Sequence, residues 1–336
     1  VTNWKLPTAQ YNSLSTNFKK TDIEAIDYAA RIIKEGGLVA FPTETVYGLG
    51  ANALNPLAVA KIFKLKERPS FDPLIVHVAS FDDLTKLTSN IDERVMQLAL
   101  HFWPGPLTIV LPKSDIVPDL VTSGLPTVGI RMPDNKIALE LIKRSGCPIA
   151  APSANKFGQL SPTSAMHVKK QLPNVDYILD GGKTTVGIES TIVSVEDNIC
   201  SILRPGRITL NEIKKALPDL FTYSTKKSEK IVAPGLLKSH YSPKKPLYLL
   251  KDFNIQIPHN SGVILHSQKK PISAHKVIYT SANHNLLEVA SNLFSAMHAM
   301  EDDKEIEQIF IETVEEEGLG VAIMDRMKKA AYQYNA

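Results

Sequence analysis

The chain has 336 residues, 43% hydrophobic and 22% charged, a balance that belongs to a folded globular protein and excludes a disordered one. Its formal charge of +3 is too small for a nucleic-acid coat, so any basic function has to come from local clustering. The two cysteines, Cys147 and Cys200, sit in apolar contexts that read as buried thiols, which excludes a disulfide framework and a zinc ribbon.

Thr21-Asp22-Ile23-Glu24 forms a capping box, and Ile23, Ile26, Ala30 and Ile33 follow at helical spacing until Gly36-Gly37 ends the helix. Leu38 to Phe41 is a short apolar strand of the kind buried on both faces. It empties into Pro42-Thr43-Glu44-Thr45, which puts hydroxyls and a carboxylate at a strand's carboxyl end, where open α/β sheets bind ligands. Asn55 as N-cap and Pro56 in the first turn start a helix with Val59, Ile62 and Phe63 inward. That helix ends near Lys66, because Pro69 discourages its continuation at Arg68.

Pro73 to Val78 is a second strand, with His77 near its end. A helix over Ile91 to Phe102 leads through the turn Trp103-Pro104-Gly105-Pro106 into the strand Leu107 to Leu111. Thr127 to Arg131 reads as a strand with an arginine at its tip. A helix over Ile137 to Lys143 precedes the strand Cys147 to Ala151, which runs into Pro152-Ser153-Ala154-Asn155. Strands over Tyr177 to Leu179, Ser190 to Val195 and Ile199 to Leu203 follow, the last ending at Arg204, and a helix over Thr209 to Leu217 closes the series. The order predicts an α/β fold with a mixed sheet rather than a regular βαβ repeat.

From Pro218 the composition changes. A polar stretch and then APGLLKSHYSPKKP give a linker signature. Beyond it, strands at Leu247 to Leu250, Gly262 to His266, Val277 to Thr280 and Ile309 to Glu312 accompany helices over Leu286 to Met300 and Leu319 to Ala331, the pattern of a small parallel sheet. The expected division is 1–217, a linker over 218–243, and a second domain over 244–336, in keeping with a length that exceeds one core. The N-terminus lacks the apolar core of a signal peptide and no apolar run reaches transmembrane length, so the reading is a cytoplasmic protein without a membrane partner.

Several strand ends finish in polar or cationic residues: Thr43 and Thr45, His77, Thr127 with Arg131, Ser153 with Asn155, and Arg204. Each alone has a plainer role. A threonine pair caps a turn, a Lys-x-Arg at a helix end complements the dipole, and Ser-x-Asn caps a helix. Together on one sheet they define a shared cleft, and Lys64, Lys66 and Arg68 make its ligand anionic, as a phosphate-bearing molecule is. Tyr47 serves either packing or the cleft. Gly182-Lys183-Thr184 is not a P-loop, since Tyr177 stands where the first glycine belongs. The histidines show no metal spacing; His266, His275, His284 and His298 read as surface or helix-face residues, and no metal ligands are assigned.

Phe41-Pro42-Thr43-Glu44-Thr45-Val46-Tyr47-Gly48-Leu49, Lys66-x-Arg68-Pro69, Pro73-Leu74-Ile75-Val76-His77 and Ser153-x-Asn155, in this order, resemble the threonylcarbamoyl-AMP synthase family. The linker from Pro234-Gly235 to His240-Tyr241-Ser242-Pro243 and the segment Gly318 to Arg326 resemble the family's long form. The resemblance implies a YrdC-like domain with a twisted mixed sheet, and a smaller Rossmann-like C-terminal α/β domain. It implies a nucleotidyltransferase that makes threonylcarbamoyl-AMP and pyrophosphate from L-threonine, bicarbonate and ATP with Mg²⁺. A downstream enzyme then transfers the threonylcarbamoyl group to the adenosine beside the anticodon of tRNA.

Carried over by motif position, Thr45, His77, Arg131, Ala151 and Ser190 surround threonine. Lys66, Arg68, Thr127, Ser153, Asn155, Ser161 and Arg204 hold ATP, with Lys66 and Arg68 as the catalytic cations. His240 and Tyr241 close over the nucleotide with Gly235 as hinge. The family often has Asn where this chain has Asp72, whose charge repels phosphate unless Mg²⁺ or Arg68 neutralises it. The rival readings are a double-stranded RNA-binding module, with weak tRNA contact and no catalysis, and a carbamoyltransferase sharing the YrdC-like domain. The second needs zinc-binding cysteine pairs, which two cysteines cannot supply.

Overall fold

The computed structural model describes residues 20–196, 198–218, 222–224, 234–235, 240–253, 255–267 and 272–332. The side chains of Thr21 and Asp22, half of the expected capping box, lie outside the described ones. Ten strands form one mixed sheet: β1 (Val39–Phe41), β2 (Gly48–Asn52), β3 (Ile75–His77), β4 (Leu107–Pro112), β5 (Thr127–Arg131), β6 (Ile149–Ala150), β7 (Tyr177–Ile178), β8 (Thr191–Glu196), β9 (Ile199–Arg204) and β10 (Thr222–Ser224). Their spatial order is β10-β9-β8-β4-β5-β3-β6-β2-β1-β7. Four more strands, β11 (Leu247–Leu250), β12 (Ser261–Leu265), β13 (Lys276–Tyr279) and β14 (Gln308–Glu312), make a wholly parallel sheet in the order β11-β14-β12-β13.

The helix Pro56–Lys66 begins as its sequence dictates, with the Asn55 side chain accepting from the Leu57 and Ala58 amides and proline in the first turn. It stops at Glu67, a left-handed residue (φ 56°) whose N–H returns to the helix carbonyls. That turn swings Arg68 back towards the sheet, where it is buried. β2 is the main departure from expectation. No strand is expected over Gly-Leu-Gly-Ala-Asn, yet it pairs antiparallel with both β1 and β6. A Cβ on Gly50 would lie 2.7 Å from Phe41 and Ile149 atoms, so glycine is what lets the strands close over that ring. Strand β10 pairs with β9 inside the segment that reads as linker.

The two sheets share a core. One apolar cluster joins Val46, Leu160 and Ile188 of the large-sheet unit to Tyr241 and to Leu293, Phe294 and Ile323 of the small-sheet unit. Gly187 (φ 78°) packs so tightly on the helix Leu286–Asp302 that a Cβ would meet the Ala290 carbonyl at 2.4 Å. His298, on that helix, is buried rather than on a surface face. Its Nε2 bonds the Ser161 carbonyl at 3.1 Å, and its ring stacks on His167 at 3.8 Å. His266 is likewise buried, bonding Thr280. Cys200 is buried as expected, and Cys147 half-buried.

Candidate active site

β3 and β5 run parallel with His77 opposite Arg131, so their carboxyl ends deliver both side chains to one place. Side chains alternate along a strand, and Ile75 and His77, Thr127 and Arg131, and Thr108 therefore share a face of the sheet. Over that face lies a partly open cleft. Thr45, Arg68, His77, Arg131, Ala151, Ser153, Ser190, Arg204, His240 and Tyr241 all line it. Pro234 and Gly235 of the linker cover it.

Thr43 plays the plain part of the threonine pair. Its hydroxyl accepts from the Thr45 and Val46 amides and donates to the Val46 carbonyl at 2.6 Å, which builds the turn. The turn in turn presents Thr45, whose Oγ1 accepts from Arg131 Nη1 at 3.0 Å. Arg131 also donates Nε to the Gly105 carbonyl, and its Nη2 lies 2.5 Å from Glu44 Oε1. Glu44, exposed next to the threonines in the sequence reading, is thus the buried counter-ion of Arg131. Burial and the adjacent Arg131 push the His77 pKa down to about 3, so its ring is neutral at pH 7.

Arg68 repeats the arrangement. Its Nε and Nη2 donate to the Asp72 and Pro73 carbonyls, and Nη2 lies 2.9 Å from the Asp72 carboxylate. Burial pulls the Arg68 pKa down and pushes that of Asp72 up, each opposed by the other's charge. The neutralisation that Asp72 requires is therefore supplied by Arg68. Arg204 is held differently. Nε and Nη2 converge on the Ser190 carbonyl and hydroxyl, and Nη1 reaches the Pro234 carbonyl at 3.3 Å. Among the described residues it has no carboxylate within ion-pair distance.

Four expected residues stand apart from the main cavity wall. Lys66 is buried, with Nζ donating to the Ser153 and Asn155 carbonyls. Burial first, then Arg68, lowers its pKa well below the ordinary lysine value. Asn155 braces the same loop, its amide donating to the Lys156 and Gln159 carbonyls. Ser161 donates to Glu189 Oε1 at 2.5 Å. Thr127 lines a second, smaller pocket with Pro73, Val110, Gly129 and Ile192, and this shares Ile75 and Pro234 with the first.

Residues 234–235 and 240–241 of the linker are held by their neighbours. Gly235 (φ 79°) lies so close beneath Tyr241 that a Cβ would be 2.8 Å from its hydroxyl and 3.2 Å from Arg204 Cδ. The His240 ring packs edge-on to Phe157 and Tyr241, and burial lowers its pKa to about 3. The helix Leu319–Ala331 grips this segment. Lys329 Nζ donates to the Gly235 carbonyl at 2.8 Å, and the Lys329 carbonyl accepts from the His240 N–H.

Glu189 and Arg326 escaped the sequence reading. Glu189 lines the cavity and pairs with Arg326 Nε at 2.8 Å. The available signal was position: Glu189 precedes Ser190, and Arg326 ends the Gly318 to Arg326 motif.

A family model described as "Telomere recombination", for the Sua5, YciO and YrdC proteins, matches residues 31–206. A second, described as "Threonylcarbamoyl-AMP synthase, C-terminal domain", matches residues 208–332. The threonylcarbamoyl-AMP synthase of Pyrococcus abyssi is 42% identical over 321 residues, covering 91% of this chain and 94% of that protein. That of Bacillus subtilis is 41% identical over 331 residues, covering 94% of this chain and 95% of that protein. The crystal structure of P. abyssi Sua5 complexed with L-threonine is similar to this fold with a TM-score of 0.82 at 41% identity, covering 91% of this chain and 94% of that one.

Proposed function

The chain belongs to the threonylcarbamoyl-AMP synthase family, and we propose that its covered cleft is where L-threonine, bicarbonate and ATP become threonylcarbamoyl-AMP and pyrophosphate. The product serves threonylcarbamoyladenosine formation in tRNA. The observation that carries the reading is the cleft itself, lined by three arginines and by Pro234, Gly235, His240 and Tyr241 of the linker, with Gly235 held from the second sheet unit. Those arginines are buried within the cleft and not spread over an exposed face, as phosphate contacts along a duplex would need, which favours catalysis over an RNA-binding module.

Threonine belongs at the Arg131 end, where Thr45, His77, Ala151 and Ser190 meet. Arg131 retains donors beyond those spent on Thr45, Gly105 and Glu44, and these suit a carboxylate. Neutral His77 offers a ring nitrogen without a competing charge. The triphosphate belongs to Arg68, Ser153 and Arg204, under His240 and Tyr241. The base is assigned to the Thr127 side of the cleft, where the lining carries no charged side chain. Lys66, Asn155 and Ser161 act from behind the wall, holding the Ser153 loop and Glu189 in place.

The amine of threonine and bicarbonate give a carbamate with loss of water. A carbamate oxygen then attacks the α-phosphorus, the bond to the bridging oxygen breaks, and pyrophosphate leaves. Catalysis is positioning and charge neutralisation in a site without bulk water, since carbamates lose CO₂ and acyl adenylates hydrolyse. Asp72 and Glu44 already neutralise Arg68 and Arg131, so the wall supplies less positive charge than a triphosphate carries. Among the described residues no cluster of three His, Cys, Asp or Glu side chains could hold a metal. Mg²⁺ is therefore assigned to the substrate, entering as MgATP.

We assign a catalytic unit over 1–217, a lid over 218–243, of which β10 belongs to the large sheet, and a C-terminal unit over 244–336. A downstream transferase takes the adenylate to tRNA, and the cytoplasm, where tRNA is modified, is the assigned compartment. No described helix is long and apolar enough to cross a membrane. The test is pyrophosphate release from MgATP with threonine and bicarbonate supplied together and singly. Release only with both is expected, and release indifferent to threonine would overturn the reading.

A further inference from the structure

Glu189 is an anomaly for a cleft that takes a polyanion. It lines the cavity, it is 6% exposed, and it feels the charge of Arg204, which is assigned to the phosphates. Burial alone would raise its pKa. Arg326 and Arg204, with hydrogen bonds from Ser161 and Arg326, hold it instead at about 2, so it carries a full charge at pH 7. The other lining arginines do not serve it, since Arg68 answers Asp72 and Arg131 answers Glu44. Its neutralising partner comes from 137 residues away. Arg326 sits on the helix Leu319–Ala331, fully buried, with Nε on Glu189 and Nη1 on the Pro205 carbonyl and on Asp325, whose carboxylate is also met by Lys329.

We propose that Arg326 is a positioning residue for the nucleotide site, cancelling the charge of Glu189 so that the triphosphate can enter, and so making ATP affinity depend on docking of the C-terminal unit. The inference rests on the cleft binding ATP as assigned above. The same helix seats the lid through Lys329 on Gly235 and His240, and its Arg326 guanidinium lies 5.4 Å from the Tyr241 ring centre. Docking of one helix therefore neutralises the wall and places the roof together. A buried ion pair that only staples the two units would stabilise the fold without discriminating between substrates. Charge cancellation does discriminate: removing Arg326 alone takes the ion-pair partner from Glu189 and leaves Arg204 to answer both that carboxylate and the phosphates, whereas removing both charges does not.

Equilibrium dialysis of the full chain against MgATP, and separately against L-threonine, tests this without relying on turnover. Arg326→Met is expected to weaken MgATP binding ten-fold or more while changing threonine binding less than three-fold. The double variant Glu189→Gln with Arg326→Met is expected to recover MgATP affinity to within about three-fold of wild type (~0.65 kcal/mol). Glu189→Gln alone is expected to bind MgATP no more weakly than wild type, which keeps the test open if Arg326→Met fails to fold. A double variant as weak as Arg326→Met, or a Glu189→Gln variant ten-fold weaker than wild type, would overturn the proposal. Wild-type pyrophosphate release that ignores threonine, alongside the expected MgATP pattern, would instead fault only the assigned reaction.

Discussion

Replacing Gly235 by alanine tests whether the linker closes the site. Gly235 has φ 79°, where a residue with a Cβ costs roughly 1–2 kcal/mol, and that Cβ would lie 2.8 Å from the Tyr241 hydroxyl and 3.3 Å from Arg204 Nη1. Both costs vanish when the linker lifts, so they fall on the closed state alone. A penalty of that size shifts the closed-to-open ratio by about 5- to 30-fold. Gly235→Ala should therefore release threonylcarbamoyl-AMP early and let it hydrolyse. The ratio of AMP to pyrophosphate in the first turnovers, with labelled ATP, reads this directly and is expected to rise at least five-fold. Gly146→Ala is the control. Gly146 has φ 63° at the end of the helix Lys136–Ser145 with nothing within 4 Å of a new Cβ, so it carries a similar backbone cost and leaves the lid alone. An AMP ratio equal in Gly235→Ala and wild type would refute the lid.

Lys66→Ala and Arg68→Ala should each lower pyrophosphate release ten-fold or more, about 1.4 kcal/mol, and full activity in both would remove them from the site. Glu44→Gln leaves Arg131, 3% exposed, without its carboxylate; the fold should lose stability and threonine should restore more of the melting temperature than it adds to wild type, a gain absent if Arg131 does not meet threonine. The buried histidines make the fold acid-labile. His77 and His240 titrate near 3 and His298 near 4 when folded, below the unfolded value of 6.5, so the unfolded chain takes up protons first as pH falls. Stability is complete above pH 6.5 and declines towards pH 3, each histidine adding up to about 1.4 kcal/mol per pH unit to the slope. Urea midpoints between pH 7 and 5 measure it, and a flat profile would contradict it.

What the sequence made legible was local. The helix Pro56–Lys66 announces itself by an Asn cap and a following proline, and the strand Thr127–Arg131 by alternation with a charged tip. The clustering of strand ends was also readable, because carboxyl ends of neighbouring strands meet whatever their exact order. β2 was not, since its glycines are explained by the Phe41 ring from β1 and by Ile149 and Ala151 from the other side, contacts between distant segments. Nor were the counter-ions. Asp72 stands four residues from Arg68 and was within reach of inspection, but the Glu44–Arg131 and Glu189–Arg326 pairs join distant segments through sheet register and docking of the two units. Lys66 shows the opposite limit: its motif marks it as a site residue, yet its ammonium is spent on the Ser153 and Asn155 carbonyls behind the wall.

The carbon of bicarbonate is the most direct witness to the reaction. With ¹³C-bicarbonate, threonine and MgATP, the account predicts a threonine-containing adenylate carrying one label for each pyrophosphate released, seen by mass spectrometry of rapidly quenched samples. An adenylate of threonine without the label, or pyrophosphate formed with no labelled adenylate at the earliest times, would contradict it.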